Sequence, residues 1–310
     1  MNTYITIDGG TTSTRIRLLK DKKIIETIKL DIGVRNAIDN RNGYIMAIKD
    51  AIDEIISRSN ETVVRILASG MITSEFGLCN LTHINIPAGV SELHNAMYET
   101  VIEEISNIPF VFIKGVKNDS EEVADFDMMR GEETELIGII EKEYGECIYI
   151  LPGSHSKVIK VDEQGRITSF SSMLTGEMIA SLSQETILKD AVDLSTTEID
   201  KDYLLKGYNL TEKEGVNKAL FKVRILNNIF GCSKEEVYSF FLGVILHNEI
   251  MSIVKDETRT IVIGGRKQIK NAMAIILKDK TGKEVITLSD IDVDYSTSLG
   301  MIKIYEFKDN

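Results

Sequence analysis

The stretch ITIDGGTTSTRIRL, Ile5 to Leu18, decides how the chain is read. Apolar, alternating runs flank Asp8-Gly9-Gly10-Thr11-Thr12-Ser13, so the segment reads as a β-hairpin with a turn rich in hydroxyls and short of side chain. Gly9 and Gly10 can adopt positive φ and let a ligand approach bare backbone. Thr11, Thr12 and Ser13 then offer hydroxyls and N–H donors to phosphate oxygens. Arg15 would reach a terminal phosphate with its forked donors, and Asp8 would serve Mg²⁺ directly or through water. The plainer alternative is a hairpin in which Asp-Gly only makes the turn.

Working outward, Tyr4 to Ile7, Thr14 to Leu19 and Ile24 to Leu30 read as three consecutive strands, followed by a helix from about Gly43 to Arg58 and a strand at Val63 to Leu67. A helix over about Ser91 to Ile105 and a strand at Val111 to Ile113 come next. The pattern then restarts: Cys147 to Leu151, Val158 to Val161 and Ile167 to Ser171 make a second set of three strands. Helices follow at about Thr175 to Leu188 and Ser233 to Val254, the latter opened by a capping box of Ser233 and Glu236. A strand at Thr260 to Ile263, then a last strand and helix, complete an α/β chain that repeats itself, with a cleft expected between its halves.

Composition narrows the function. The 310 residues are 43% hydrophobic and 27% charged, as in a soluble globular protein of two lobes. A net charge of -12 argues against a nucleic-acid partner, because phosphate neutralisation needs clustered Lys and Arg. No run approaches the roughly 18 apolar residues of a membrane span, and the chain opens in a strand rather than a leader, so a cytoplasmic protein without a membrane partner is expected. Cys79, Cys147 and Cys232 form no C-x-x-C pair and read as small buried hydrophobes.

Two further stretches carry chemistry. Gly153-Ser154-His155-Ser156-Lys157 repeats the hydroxyl-rich turn with a Lys, and Gly264-Gly265, after Ile261-Val262-Ile263, suits a flat base sliding on backbone. Between the strand sets, Arg130-Gly131-Glu132-Glu133 opens a helix whose macrodipole favours acids in the first turn. A carboxylate there would accept the proton of a hydroxyl attacking a terminal phosphate, with Glu132 first and Glu133 and Asp127 behind it.

Together, the turns at Asp8 to Arg15 and Gly153 to Lys157 and the Gly264-Gly265 pair resemble the phosphate-1, phosphate-2 and adenosine motifs of the sugar kinase, Hsp70 and actin superfamily. Within it, MRGEETELIG at Met129 to Gly138, YILPGSHSKV at Tyr149 to Val158, MLTGE at Met173 to Glu177 and DYSTSLG at Asp294 to Gly300 resemble the 2-dehydro-3-deoxygalactonokinase family. Gly9 stands where that family commonly has Trp, and Gly264-Gly265-Arg266 departs from its usual Ala-Gly-Thr.

The resemblance implies a two-lobed, duplicated ribonuclease H-like (actin-like ATPase) fold with a central interlobe cleft. Residues 1–140 would be the N-terminal lobe, carrying the phosphate-1 turn and sugar-acid site, and 141–310 the C-terminal lobe with the phosphate-2 turn and adenosine site. It further implies ATP-dependent phosphorylation of the C6 hydroxyl of 2-dehydro-3-deoxy-D-galactonate. Asp8 would hold Mg²⁺; Gly9, Gly10, Thr11, Thr12, Ser13, Arg15, Gly153, Ser154, His155, Lys157, Gly264 and Gly265 would hold ATP; Glu132, Glu133 and Arg130 would be catalytic. Arg35, Asn36, Ser69, Gly70, Met71 and Ser74, on loops after strands, with Thr175 and Glu177, would meet the sugar acid. A homodimer is allowed for. The rivals are a kinase of the same fold acting on another sugar or sugar acid, and an ATPase switch of the actin or Hsp70 type.

Overall fold

The computed structural model describes residues 2–265 and 267–308; Arg266, read above as part of the adenosine segment, lies outside the described residues. Strands β1 (Thr3–Gly9), β2 (Thr14–Lys20) and β3 (Lys23–Leu30) form the expected antiparallel run. Helices α1 (Val34–Asp39) and α2 (Arg41–Ser59) lead into β4 (Val63–Gly70), which pairs parallel with β1. A three-ten turn at Met71–Thr73 precedes β5 (Ile84–Asn85), α3 (Val90–Asn95), β6 (Tyr98–Ile102), β7 (Ser106–Phe112), β8 (Val116–Asn118), β9 (Asp127–Met129) and α4 (Glu132–Ile139). The main sheet has the order β3-β2-β1-β4-β7-β6, and β5-β8-β9 make a small separate sheet.

The second set comprises β10 (Cys147–Leu151), β11 (Ser156–Val161), β12 (Ile167–Met173), α5 (Thr175–Glu185), α6 (Lys201–Glu214), α7 (Val216–Asn228), α8 (Lys234–Val254), β13 (Thr260–Ile263), α9 (Lys267–Lys280) and β14 (Glu284–Thr287), after which α10 (Asp290–Tyr305) closes the chain. Its sheet order, β12-β11-β10-β13-β14, repeats the first: a hairpin on one side of the opening strand, parallel strands on the other. The duplication read from the sequence is therefore present at the level of topology.

Each sheet buries its own core. In the first, Tyr44, Ile45, Ile48, Ala51, Ile52 and Ile55 recur at helical spacing along α2 and pack with Ile5, Ile7, Ile16, Leu18, Phe110 and Phe112. In the second, α8 is apolar nearly all round and is buried among β10, β13, α6 and α9 residues. By length and composition alone α8 is apolar enough to cross a membrane, but 78% of that stretch is buried inside the protein.

Three expectations are corrected. The helix over Ser91 to Ile105 stops at Asn95, and Tyr98–Ile102 pairs antiparallel with β7 through a tight turn in which Ile105 N donates to Ile102 O at 2.8 Å. Thr100, Val101 and Ile102 are β-branched and suit a pleated edge better than a helix. Gly9 and Gly10 do not take positive φ. They are small because a Cβ on Gly9 would lie 2.6 Å from Ile72 Cβ, and one on Gly10 2.9 Å from Ser13 O.

The third concerns the lobes. Two compact units divide the chain, Met1–Gly145 with Asp162–Ser169 and Ile291–Asn310 in the first, Glu146–Val161 with Phe170–Asp290 in the second. The C-terminal helix thus belongs to the first unit rather than to a 141–310 lobe. Gly138 of α4 and Gly300 of α10 let these helices touch backbone to backbone, at Ser296 and Thr134 respectively. Thr6 and Ser298 share a hydrogen bond of 2.9 Å, and Lys303 Nζ donates to Gly138 O at 3.1 Å.

Candidate active site

In the first unit, β-sheet register places Asp8 near the C-terminal end of β1, opposite Arg15 on one side and Ser69 on the other, with Gly9 opposite Thr14 and Gly70. Arg15 Nη1 lies 3.9 Å from Asp8 Oδ2 and 3.5 Å from Asp294 Oδ1. Arg17, buried on the same strand, pairs with Asp294 Oδ2 at 2.6 Å. Burial pushes the Asp8 carboxyl up; Arg15 and Arg17 pull it down, and Glu132 and Asp294 push it up again.

The turn itself is clamped by a helix start. Gly10 N donates to Ser13 O at 2.9 Å, Val34 N to Gly10 O at 3.0 Å and Arg35 N to Thr11 O at 2.9 Å. Those carbonyls are thereby satisfied, which leaves the exposed side chains of Thr11 and Thr12 at the tip. Arg35 and Asn36 sit on α1 rather than on a loop, both exposed, and Asn36 Oδ1 caps the helix by accepting from Gly33 N at 3.0 Å.

The acidic segment enters the same unit. Gly131, at φ 114°, turns the chain into α4, and a Cβ there would lie 3.1 Å from Gly70 Cα. Gly70 in turn has φ 90° and its backbone passes against Gly9 O. Three glycines therefore bring the ends of β1 and β4 and the start of α4 within backbone contact, Gly70 and Gly131 in conformations that a side chain would strain and Gly9 for want of room beside Ile72.

The acids on this floor differ in their surroundings. Glu132 is half-buried and accepts Arg130 N at 3.1 Å. Glu133 is fully buried; its oxygens accept Gly131 N at 2.8 Å and the Thr134 hydroxyl at 2.9 Å, and Ser69 Oγ donates to Thr134 Oγ1 at 2.7 Å. Burial, then repulsion from Glu132, raises Glu133 to about 7. Glu135 rises to about 8 for the same reasons, with Asp8 adding to the repulsion.

Arg130 faces elsewhere. Its guanidinium donates to Thr73 O, to Thr73 Oγ1 at 2.7 Å and to Leu81 O at 3.0 Å, pinning the loop that follows β4. Burial and the charges of Arg130 and Lys117 lower His83 beside it to about 4. Asp127 lies on β9, paired with Asn118 of β8. Among the sugar-acid candidates, Ser69 is buried on Thr134, and Ser74 Oγ donates to Met71 O at 2.7 Å beside Gly70.

In the second unit, Gly153-Ser154-His155 joins β10 to β11, with Ser154 and His155 exposed and Ser156 and Lys157 buried. His155 Nε2 lies 3.1 Å from Glu177 Oε1, and Lys157 Nζ donates to His155 O at 3.0 Å. Gly176 N and Glu177 N, at the start of α5, donate to Ser154 O at 3.1 and 3.2 Å. The hydroxyl of Thr175 is taken by buried Glu249 at 2.6 Å. Gly264 N donates to Ile150 O at 2.9 Å, and Gly265, φ 77°, lies against Pro152.

A bound Mg²⁺ is tested by the donor set. Among the described residues no group of three or more His, Cys, Asp or Glu side chains is arranged to hold a metal. Mg²⁺ is commonly held by one or two carboxylates together with substrate phosphates, and Asp8, with the negative charges of Glu132 and Asp294 acting on it, fits that manner of binding.

Sequence reasoning gives no site role to Asp294, Thr134, Glu135 or Glu249, and includes Ser156 only as a hydroxyl of the second turn. A signal for Glu249 was available: a carboxylate within the apolar run of α8 must be buried with partners or shift its proton.

Two sheets of repeated order, each opened by a hairpin with a glycine-containing turn, define the actin-like ATPase and sugar kinase fold. The activator of 2-hydroxyisocaproyl-CoA dehydratase from Clostridium difficile, solved with bound ADPNP, shares it with a TM-score of 0.51 at 13% identity, covering 98% of this chain and 96% of that one. A solved protein from Sinorhizobium meliloti, provisionally assigned as a 2-dehydro-3-deoxygalactonokinase, superposes with a TM-score of 0.79 at 20% identity over 97% of each chain. The 2-dehydro-3-deoxygalactonokinase of Escherichia coli K12 is 25% identical over 255 residues, 81% of this chain and 80% of its own. The chain belongs to the 2-keto-3-deoxy-galactonokinase family, whose profile matches residues 8–302. That is a family of carbohydrate kinases, with ATP as the phosphoryl donor.

Proposed function

We propose that this protein transfers the terminal phosphoryl group of ATP to the C6 hydroxyl of 2-dehydro-3-deoxy-D-galactonate, with Glu132 as the base. The observation that carries the reading is the acidic floor of the first unit, where Glu132 opens α4 and acts electrostatically on Asp8 at the end of β1, in a chain matched to the kinase family from residue 8 to 302. Glu132 is preferred over Glu133 because both oxygens of Glu133 are already engaged inside the protein. Arg130, bonded to the loop after β4, positions that loop rather than touching substrate.

Asp8 would hold Mg²⁺, which supplies charge neutralisation at the phosphates when bound. Thr11, Thr12 and Ser13 hydroxyls, the Gly9-Gly10 backbone and Arg15 are assigned to phosphate oxygens, as are Gly153, Ser154, His155 and Lys157, with Gly264 and Gly265 assigned to the adenosine. Arg35 offers a planar fork to the sugar-acid carboxylate, and Asn36, Gly70 and Met71 lie in the same unit. Ser69 and Ser74 are read as supports for those contacts, since their hydroxyls are bonded within the protein, whereas the Thr175 hydroxyl is held by Glu249 beside the Gly153–Lys157 turn. Glu132 then takes the hydroxyl proton as the oxygen attacks, while positioned donors stabilise the transferring group.

The test is a coupled assay for ADP release on 2-dehydro-3-deoxy-galactonate and its gluconate epimer. Turnover on the galactonate, lost in Asp8→Asn and Glu132→Gln, is expected. Wild-type rates in both variants would remove the assigned roles, and ADP release only with a different sugar would move the substrate.

A further inference from the structure

We propose that Glu249 is the positioning residue of the Gly153–Lys157 turn, a buried carboxylate on α8 that locks this turn to the start of α5 so that its donors are set for the phosphates of ATP. This rests on the functional reading above.

Glu249 is 1% exposed in a helix most of whose buried side chains are apolar. Leaving a carboxylate there is costly unless its oxygens find donors. Both do: Ser156 Oγ, on the first residue of β11, donates to Oε1, and Thr175 Oγ1, on the first residue of α5, donates to Oε2 at 2.6 Å. One side chain thus ties the start of β11 to the start of α5.

The turn is tied to α5 a second time through backbone. Gly176 N and Glu177 N converge on Ser154 O, and Gly176 packs so closely on Gly153 O that no Cβ would fit. These contacts occupy the Ser154 carbonyl, and with the Ser156 hydroxyl given to Glu249 the turn offers a ligand the exposed side chain of Ser154. A helix–strand packing role needs only apolar contact and would not require two hydroxyls aimed at one buried acid. A pre-organised anion turn does need it, since donors held in place cost no reordering when phosphate arrives.

The test uses the full chain and MgATP, with binding by isothermal titration and steady-state kinetics side by side. Glu249→Leu is expected to weaken MgATP binding and raise KM for ATP by ten-fold or more, with KM for the sugar acid within two-fold and unchanged far-UV circular dichroism. Glu249→Gln, which can accept from one hydroxyl and donate to the other, should stay within three-fold of wild type. Ser156→Ala and Thr175→Val should each weaken MgATP three- to ten-fold, and they decide by the same split if Glu249→Leu does not fold. MgATP affinity within two-fold of wild type in these variants, or equal losses for both substrates, would overturn the proposal. Wild-type protein that binds no MgATP would overturn the functional reading instead, and the lock with it.

Discussion

Glu133→Gln tests whether the first unit keeps a neutral carboxyl directly behind the proposed base. In the folded protein Glu133 is raised from 4.5 to about 7, chiefly by burial. Each pKa unit is worth about 1.4 kcal/mol, so the folded and unfolded states differ by about 3 kcal/mol in their grip on this proton. The sign follows from which state lets go first. Above pH 4.5 the unfolded chain loses the proton while the folded protein keeps it up to about pH 7, so stability falls as pH rises across that window and levels off beyond it. Glutamine leaves an acceptor for Gly131 N and cannot ionise. Urea titrations of both proteins at about pH 5 and pH 8 should therefore show wild type losing about 3 kcal/mol more than the variant on going to the higher pH. The remaining carboxyls, Glu135 among them, titrate in both proteins and largely cancel in the difference. Equal pH dependence in the two proteins, or wild type gaining on the variant with rising pH, would refute the buried neutral carboxyl.

Gly131→Ala should lower stability by about 1–3 kcal/mol, read as a shifted denaturant midpoint, because φ 114° admits a side chain poorly and the new Cβ would lie 3.1 Å from Gly70 Cα. Arg130→Met should cost about 2–3 kcal/mol by stranding the Thr73 and Leu81 carbonyls. The same variant should let the His83 pKa rise from about 4, measured by NMR titration, since a neighbouring cation is gone. Asp8→Asn should reduce turnover about 100-fold or more while leaving the circular dichroism spectrum intact, and a rate near wild type would deny Asp8 its place at the phosphates.

Local pattern made much of this protein legible. The hairpin of β1 and β2, the restart at Cys147 and the Ser233 capping box all rest on contacts between residues near in sequence, so composition and spacing suffice to find them. After Asn95 the apolar residues satisfy both the helical and the strand period, and pairing with β7 settles the choice. At Gly9 and Gly10 the constraint on size is Ile72 and Ser13 pressing on them, which the spacing of the turn does not state.

From the chain alone came the duplicated α/β plan, the family, and the residue types gathered at each turn. The plan and the residue types follow from side-chain periodicity and turn chemistry, which are properties of short windows, while the family follows from the resemblance of motifs such as Met129 to Gly138. Only the tertiary structure could assign α10 to the first unit, set Arg130 on the Thr73 loop, separate a half-buried Glu132 from a sealed Glu133, and place Glu249 between Ser156 and Thr175. Burial and proton affinity depend on which distant segments close over a group, and nothing in the spacing of one segment states what will pack above it.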